Sequence, residues 1–119
     1  MVGFALEAAE IVAKEDGIDC EVINLRSIKP MDKQAIVDTV MKTNRAIAIE
    51  EGWPQSGISS EIISVIMESQ AFNYLDAPVE RITGLDIPLP YAPNLEIMSL
   101  PQVNNIVNSI RRTCYGLKK

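Results

Sequence analysis

The sequence predicts an α/β fold, a mostly parallel sheet covered by helices on both faces in three α/β/α layers, and entered without its first strand. Three observations carry this reading. Helical stretches alternate with short β-branched runs in the order helix, strand, helix, strand, helix, strand, helix. One run, Ala46-Ile47-Ala48-Ile49, is apolar at every position, as strands sandwiched between helix layers are. The first helix begins almost at Met1, whereas a doubly wound domain ordinarily opens on a strand, often a central one. The chain therefore reads as cut within, or as the tail of, something larger.

From Phe4 to Glu15, Ala5, Ala8, Ala9 and Val12 recur at helical spacing, and Gly17 supplies a C-terminal stop. The alanine face would let this helix lie close to a sheet. Cys20 to Leu25 is short and rich in β-formers, so it predicts the first strand. After Pro30, Asp32 offers an N-cap, and Ile36, Val37, Val40 and Met41 mark a second helical stripe. Ala46 to Ile49 is the second strand, ended by Glu50-Glu51. Ile58, Ile62, Ile63, Val65 and Ile66 are dense enough to predict a well-buried third helix. Val79 to Thr83 follows as a third strand. Gly84 to Leu100 reads as a loop of about seventeen residues, stiffened by Pro88, Pro90 and Pro93. Val103, Ile106, Val107 and Ile110 form the face of a last helix, with Arg111, Arg112, Lys118 and Lys119 near its C-terminal end, where the helix dipole favours cations.

The length, 119 residues, suits one domain over residues 1–119. Sixteen acids against eleven bases give a net charge of −5, which disfavours nucleic acid and anionic membranes and suits a basic protein partner. No apolar run approaches the ~20 residues of a membrane helix. Cys20 and Cys114 share no metal-ligand spacing and read as free packing thiols in a reducing compartment. There is no histidine, so neither a Ser-His nor a Cys-His nucleophile can form. No dinucleotide or phosphate-loop fingerprint is present.

Four candidate partner-binding residues stand out. Trp53 sits on the rigid turn Gly52 to Gly57, as an interface anchor or as a residue buried against its own helices. Asp86 and Tyr91 lie in the proline-stiffened stretch, which is either a contact surface or a well-packed crossover. Asp76, before Ala77-Pro78, is on its own an ordinary turn residue. Glu50-Glu51 reads as a solvated acidic turn in preference to a catalytic or metal-binding pair, because adjacent strand residues point to opposite faces. No catalytic, cofactor-binding or metal-binding residue is assigned.

The segment Glu21-Val22-Ile23-Asn24-Leu25-Arg26-Ser27-Ile28-Lys29-Pro30-Met31-Asp32 resembles a stretch of the beta subunits of acetyl-transferring pyruvate dehydrogenase. The likeness runs on through Glu50-Glu51-Gly52-Trp53-Pro54-Gln55, Leu75-Asp76-Ala77-Pro78, Asp86-Ile87-Pro88-Leu89-Pro90-Tyr91-Ala92 and Pro101-Gln102, in register and in order. The strings Leu75–Pro78 and Asp86–Ala92 favour the pyruvate enzyme over its branched-chain relatives. The resemblance implies a transketolase-type C-terminal domain whose cofactor-binding half lies upstream. It implies a parent enzyme that decarboxylates pyruvate on thiamine diphosphate with magnesium and acetylates lipoyl groups, in the mitochondrial matrix or a bacterial cytoplasm. It further implies a scaffold that meets a second beta subunit, the alpha subunit and the dihydrolipoyl acetyltransferase core, with Asp76 at an acidic docking position. Neither the cofactor nor turnover is expected in this stretch alone. By the same resemblance, the absent strand lies between Val22–Leu25 and Ala46–Ile49, leaving unpaired strand edges. The equivalent domain of another 2-oxo acid dehydrogenase, and a free-standing α/β binding module, stay open as rival readings.

Overall fold

The computed structural model describes residues 1–88 and 90–115. The chain forms helix α1 (Val2–Asp16), helix α2 (Lys33–Thr43), strand β1 (Ile47–Ile49), helix α3 (Ile58–Met67), a 3-10 turn (Gln70–Tyr74), strand β2 (Glu80–Ile82), helix α4 (Pro93–Ser99) and helix α5 (Val103–Tyr115). Lys118 and Lys119, assigned above to the end of the last helix, lie outside the described residues.

Local chemistry sets these boundaries. α1 stops at Gly17, whose φ of 68° is the left-handed conformation that glycine adopts without steric cost. Asp32 caps α2, its carboxylate accepting the Ala35 N–H at 3.1 Å. Asn44 ends α2 at φ 68°, with its own N–H donating to the Val40 carbonyl at 2.8 Å. The Asn44 side-chain amide donates to the Tyr74 carbonyl at 2.9 Å, and the Asn44 main-chain carbonyl accepts the Asp76 N–H at 2.8 Å. One residue thus ties the end of α2 to the approach of β2.

β1 and β2 pair in parallel, with Ile47 opposite Glu80, Ala48 opposite Arg81 and Ile49 opposite Ile82. α3 and the 3-10 turn provide the crossover that parallel strands require. Two apolar clusters flank the sheet. One joins Ala8 and Val12 of α1 to Ile106, Val107 and Ile110 of α5 and to Ile82. The other joins Ile36, Val37 and Val40 of α2 to Val65 and Ile66 of α3 and to Ala71. Ile47 and Ile49 pack against the first cluster and Ala46 against the second, the period-two alternation of a strand between two helix layers. Each fully buried aliphatic side chain, Ile66 and Ile106 among them, contributes ~1.5–3 kcal/mol of burial.

The structure corrects three sequence expectations. Cys20–Leu25 is not a strand: among the described residues, no main-chain hydrogen bond reaches Cys20–Asn24. β-structure is pairing, and this run borders a cavity instead of a partner. Gly84–Leu100 is not a plain loop, because α4 occupies Pro93–Ser99. Pro93 stands at the first helical turn, where its missing N–H costs nothing, so it starts a helix. α3 is only partly buried, with Ile58, Ile62 and Ile63 half-exposed, because the layer under Ile58 and Ile62 is that same cavity.

Candidate partner interface

The parallel sheet separates the four candidates. Asp76 precedes β2 and lies at the N-terminal edge of the strands. Trp53 and Asp86 follow β1 and β2 at the C-terminal edge, and Tyr91 lies just beyond.

At the C-terminal edge, Glu50 organises the turn. It is 8% exposed, and its carboxylate accepts the Ser59 N–H at 2.7 Å. A carboxylate at a helix start is favoured by the free N–H groups and the helix dipole. The solvated-turn reading is therefore wrong for Glu50 and right for Glu51, which is exposed. The strand alternation that sends the two side chains apart also stops them acting as a pair. A Cβ on Gly57 would stand 2.5 and 2.6 Å from the Glu50 carboxylate oxygens and 2.7 Å from the Trp53 carbonyl, so only glycine allows this approach. Arg81 closes the turn, donating to Ser59 Oγ at 2.8 Å and to the Pro54 carbonyl.

This turn is fastened to the segment that follows β2. The Gly84 N–H donates to the Gly52 carbonyl at 2.9 Å, and the Leu85 N–H to the Ser99 carbonyl at 2.9 Å. Trp53 Nε1–H donates to the Ile87 carbonyl at 2.9 Å while the side chain stays 54% exposed. Trp53 is thus held by its polar handle with its ring in solvent, and not buried among helices. Leu85, Ile87, Leu95, Ile97 and Met98 are exposed on the same segment, and Tyr91 is wholly so. Large apolar side chains held out together on a bonded backbone make this segment a candidate contact surface. Sequence patterning misses Leu95, Ile97 and Met98, because inside a supposed loop they carry no helical face.

At the opposite edge, the Asp76 side chain is 57% exposed and its carboxylate stands 4.0 Å from the Arg45 guanidinium. Arg45 also donates from Nε to the Thr113 carbonyl of α5 at 3.3 Å, so it links Asp76 to the end of that helix. Of the cations placed there by the sequence, both described ones, Arg111 and Arg112, are paired. Arg111 pairs with Glu15 at 2.5 Å and Asp16 at 2.7 Å. Arg112 grips Glu80 through two bonds of 2.7 and 2.6 Å. Ser109 adds a bond of 2.6 Å to Glu80, and the Arg112 guanidinium with that hydroxyl holds the Glu80 carboxyl below the usual range. Asp76 keeps an open acidic face, flanked by the exposed Phe72 and Tyr74.

Among the described residues, no group of three or more histidine, cysteine, aspartate or glutamate side chains is placed to hold a metal. No helix among them is long and apolar enough to cross a membrane. Cys20 and Cys114 are free, half-buried thiols. Burial pushes the Cys20 thiol up, and Cys114 and Asp19 add to this.

Residues 1–106 match the family model "Transketolase, C-terminal domain". The chain is 57% identical over 115 residues to the mitochondrial pyruvate dehydrogenase E1 component subunit beta-1 of Oryza sativa subsp. japonica, covering 97% of this chain and 30% of that protein. It is 55% identical over 118 residues to the mitochondrial subunit beta-1 of Arabidopsis thaliana, covering 99% of this chain and 32% of that one. The mitochondrial subunit beta of Homo sapiens is 54% identical over 112 residues, with 94% and 31% covered. The chain thus spans about a third of the length of these relatives. Among solved structures, it superimposes with a TM-score of 0.81 and 23% identity on "Split gene transketolase, inactive beta4 tetramer", covering 96% of this chain and 36% of that one. That likeness bears out the α/β fold and its small parallel sheet. The chain belongs to the transketolase C-terminal domain family and closely matches the pyruvate dehydrogenase E1 beta subunits within it.

Proposed function

We propose that residues 1–119 act as one assembly and partner-docking domain of a pyruvate dehydrogenase beta subunit. The observation that carries this is identity of 54–57% along almost the whole chain with E1 beta subunits three times its length. The parent enzyme decarboxylates pyruvate on thiamine diphosphate with magnesium and reductively acetylates lipoyl groups. The residues here do not fit that cofactor. A diphosphate–magnesium cradle needs free carboxylate or carbonyl oxygens beside phosphate-binding donors. Glu50 is committed to Ser59, and among the described residues no three carboxylate or thiol side chains converge on a metal position. On this reading the chemistry belongs to other parts of the parent, in the mitochondrial compartment its relatives' names give.

Two surfaces serve two contacts. The apolar one around Trp53, Tyr91 and Met98, with Asp86 at its edge, suits subunit packing against the alpha subunit or a second beta subunit. The acidic one at Asp76 suits a basic docking module of the dihydrolipoyl acetyltransferase core, in keeping with the chain's net charge of −5.

The test is Asp76→Ala in a full-length beta subunit co-expressed with its alpha subunit. Binding to the acetyltransferase core is expected to weaken at least tenfold, with cofactor-dependent decarboxylation within twofold of normal. Equal loss of both would defeat the docking assignment. Titration of thiamine diphosphate with magnesium into the present chain is expected to give no saturable micromolar binding.

A further inference from the structure

The chain has two cysteines, far apart in sequence, and the fold brings both to one corner. Arg111 of α5 bonds Glu15 at 2.5 Å and Asp16 at 2.7 Å, which seats the last turns of α5 beside the end of α1. Cys114 follows Arg111 by three residues, so it lies about one turn further along much the same side of α5. Cys20 follows Asp16 by four residues. Between them Gly17 takes its left-handed φ of 68°, and the Ile18 N–H bonds back to the Val12 carbonyl at 3.3 Å. The chain therefore turns over the helix end and stays beside it. Ile18, Cys20 and Cys114 then pack against one apolar cluster, that of Ala8, Val12, Ile106 and Ile110. After burial, Cys114 is the next group that pushes the Cys20 thiol up, an effect that like charges exert only when near.

Neither thiol takes part in the contacts proposed above. Both are half-buried, so each keeps a face open to a small reagent. Among the described residues, neither belongs to a group that could hold a metal. The reaction left to two neighbouring free thiols is oxidation to a disulfide. Such a bond would join the exit of α1 to the last turn of α5 and close a loop over most of the chain. In the unfolded chain the ends of so long a segment seldom meet, whereas folding has already set them side by side. The bond would therefore stabilise the folded state. It would hold α5 onto α1 at the end where Thr113 receives Arg45.

We propose that Cys20 and Cys114 form a reversible redox clamp, closed by the disulfide of a small thiol such as glutathione. One cysteine thiolate attacks the glutathione disulfide, forming a mixed disulfide and releasing one glutathione thiolate. The second cysteine attacks the protein-bound sulfur of that mixed disulfide, the Cys20–Cys114 bond forms, and the second glutathione leaves. Two protein thiols lose two electrons and two protons, and one glutathione disulfide gains them. The inference rests on the two thiols and their packing, and not on the docking role above.

The experiment equilibrates the present chain with reduced and oxidised glutathione and counts reduced, mixed and bridged forms by mass spectrometry after acid quenching. A single Cys20–Cys114 bridge within one chain is expected, with an equilibrium constant at least tenfold higher for the folded chain than in urea. The same factor should appear as added stability of the bridged chain over the reduced one in urea unfolding, because the two measurements close one thermodynamic cycle. Cys114→Ser keeps Cys20 and is expected to stop at the mixed disulfide without that gain. Equal constants in the folded and unfolded chain would overturn the proposal. So would mixed disulfides at both cysteines, or bridges between two chains, as the main folded product.

Discussion

The Glu50 carboxylate accepts the Ser59 N–H at 2.7 Å, joining the end of β1 to the first turn of α3 across nine residues. Removing the acceptor leaves a buried helix-start N–H unpaired. Glu50→Ala is expected to cost about 2 kcal/mol, the penalty of an unsatisfied buried donor bonded to a charged partner. Glu50→Gln keeps an oxygen there and is expected to cost less. Urea unfolding at unchanged slope measures both.

Gly57→Ala forces the same contact from the other side. The added methyl would stand 2.5 Å from a Glu50 oxygen and 2.7 Å from the Trp53 carbonyl, and a main-chain carbonyl cannot swing away. A loss of roughly 1–3 kcal/mol is expected. Because both changes act on one carboxylate, they should not add. The double variant is expected to lose less than the sum of the singles, and strict additivity would show that they act at separate places.

The Arg112–Glu80 pair predicts an acid limb of stability. Arg112 and the Ser109 hydroxyl hold the folded Glu80 carboxyl below its unfolded value of ~4.3. The folded state therefore binds the proton less readily than the unfolded one. The pair's contribution is full above the unfolded pKa and is lost as pH falls through the folded one. With Arg112 46% exposed, the contribution is about 1 kcal/mol. Wild type and Glu80→Gln are expected to differ by this much at pH 7 and to converge in acid. A constant gap from pH 7 to pH 3 would rule the linkage out.

How much was legible beforehand depended on whether a signal was local. Asp32 before Ile36 and Val37, and Gly17 after Val12, announce helix ends because caps act within one turn. Ala46–Ile49 announces a doubly covered strand because composition reports burial. Cys20–Leu25 misleads because the same composition says nothing of whether a neighbour is present to pair. Pro93 misleads because proline both stiffens loops and starts helices. Glu50 could not be told from Glu51 as an anchor, since its partner is fixed by how the Gly52–Gly57 turn folds back. Asp76 carries no local signal beyond a turn; its tie to Arg45 and α5 exists only in three dimensions.

Cys20 should be a slow thiol. Burial, then Cys114 and Asp19, raise its pKa above the ordinary range, so little reactive thiolate is present at neutral pH. Alkylation of Cys20 by iodoacetamide at pH 7 is expected to be at least tenfold slower in the folded chain than in urea. Its rate should still be climbing at a pH where an ordinary thiol has levelled off. Peptide mapping by mass spectrometry separates it from Cys114. Equal folded and unfolded rates would mean that Cys20 is open to solvent.

Ile66 and Met98 separate folding from contact. Ile66 is fully buried where α2 meets α3, so Ile66→Ala removes apolar surface and leaves a void, costing ~2–5 kcal/mol. Met98 is 71% exposed on α4, so Met98→Ala is expected to change stability by less than ~0.5 kcal/mol. In a full-length beta subunit the order should reverse for assembly. Met98→Ala is expected to weaken subunit association severalfold at unaltered melting temperature, because an apolar group held in water by a bonded backbone gains most when a partner covers it. Association measured by analytical ultracentrifugation decides the matter: a Met98 variant that assembles like wild type removes α4 from the interface.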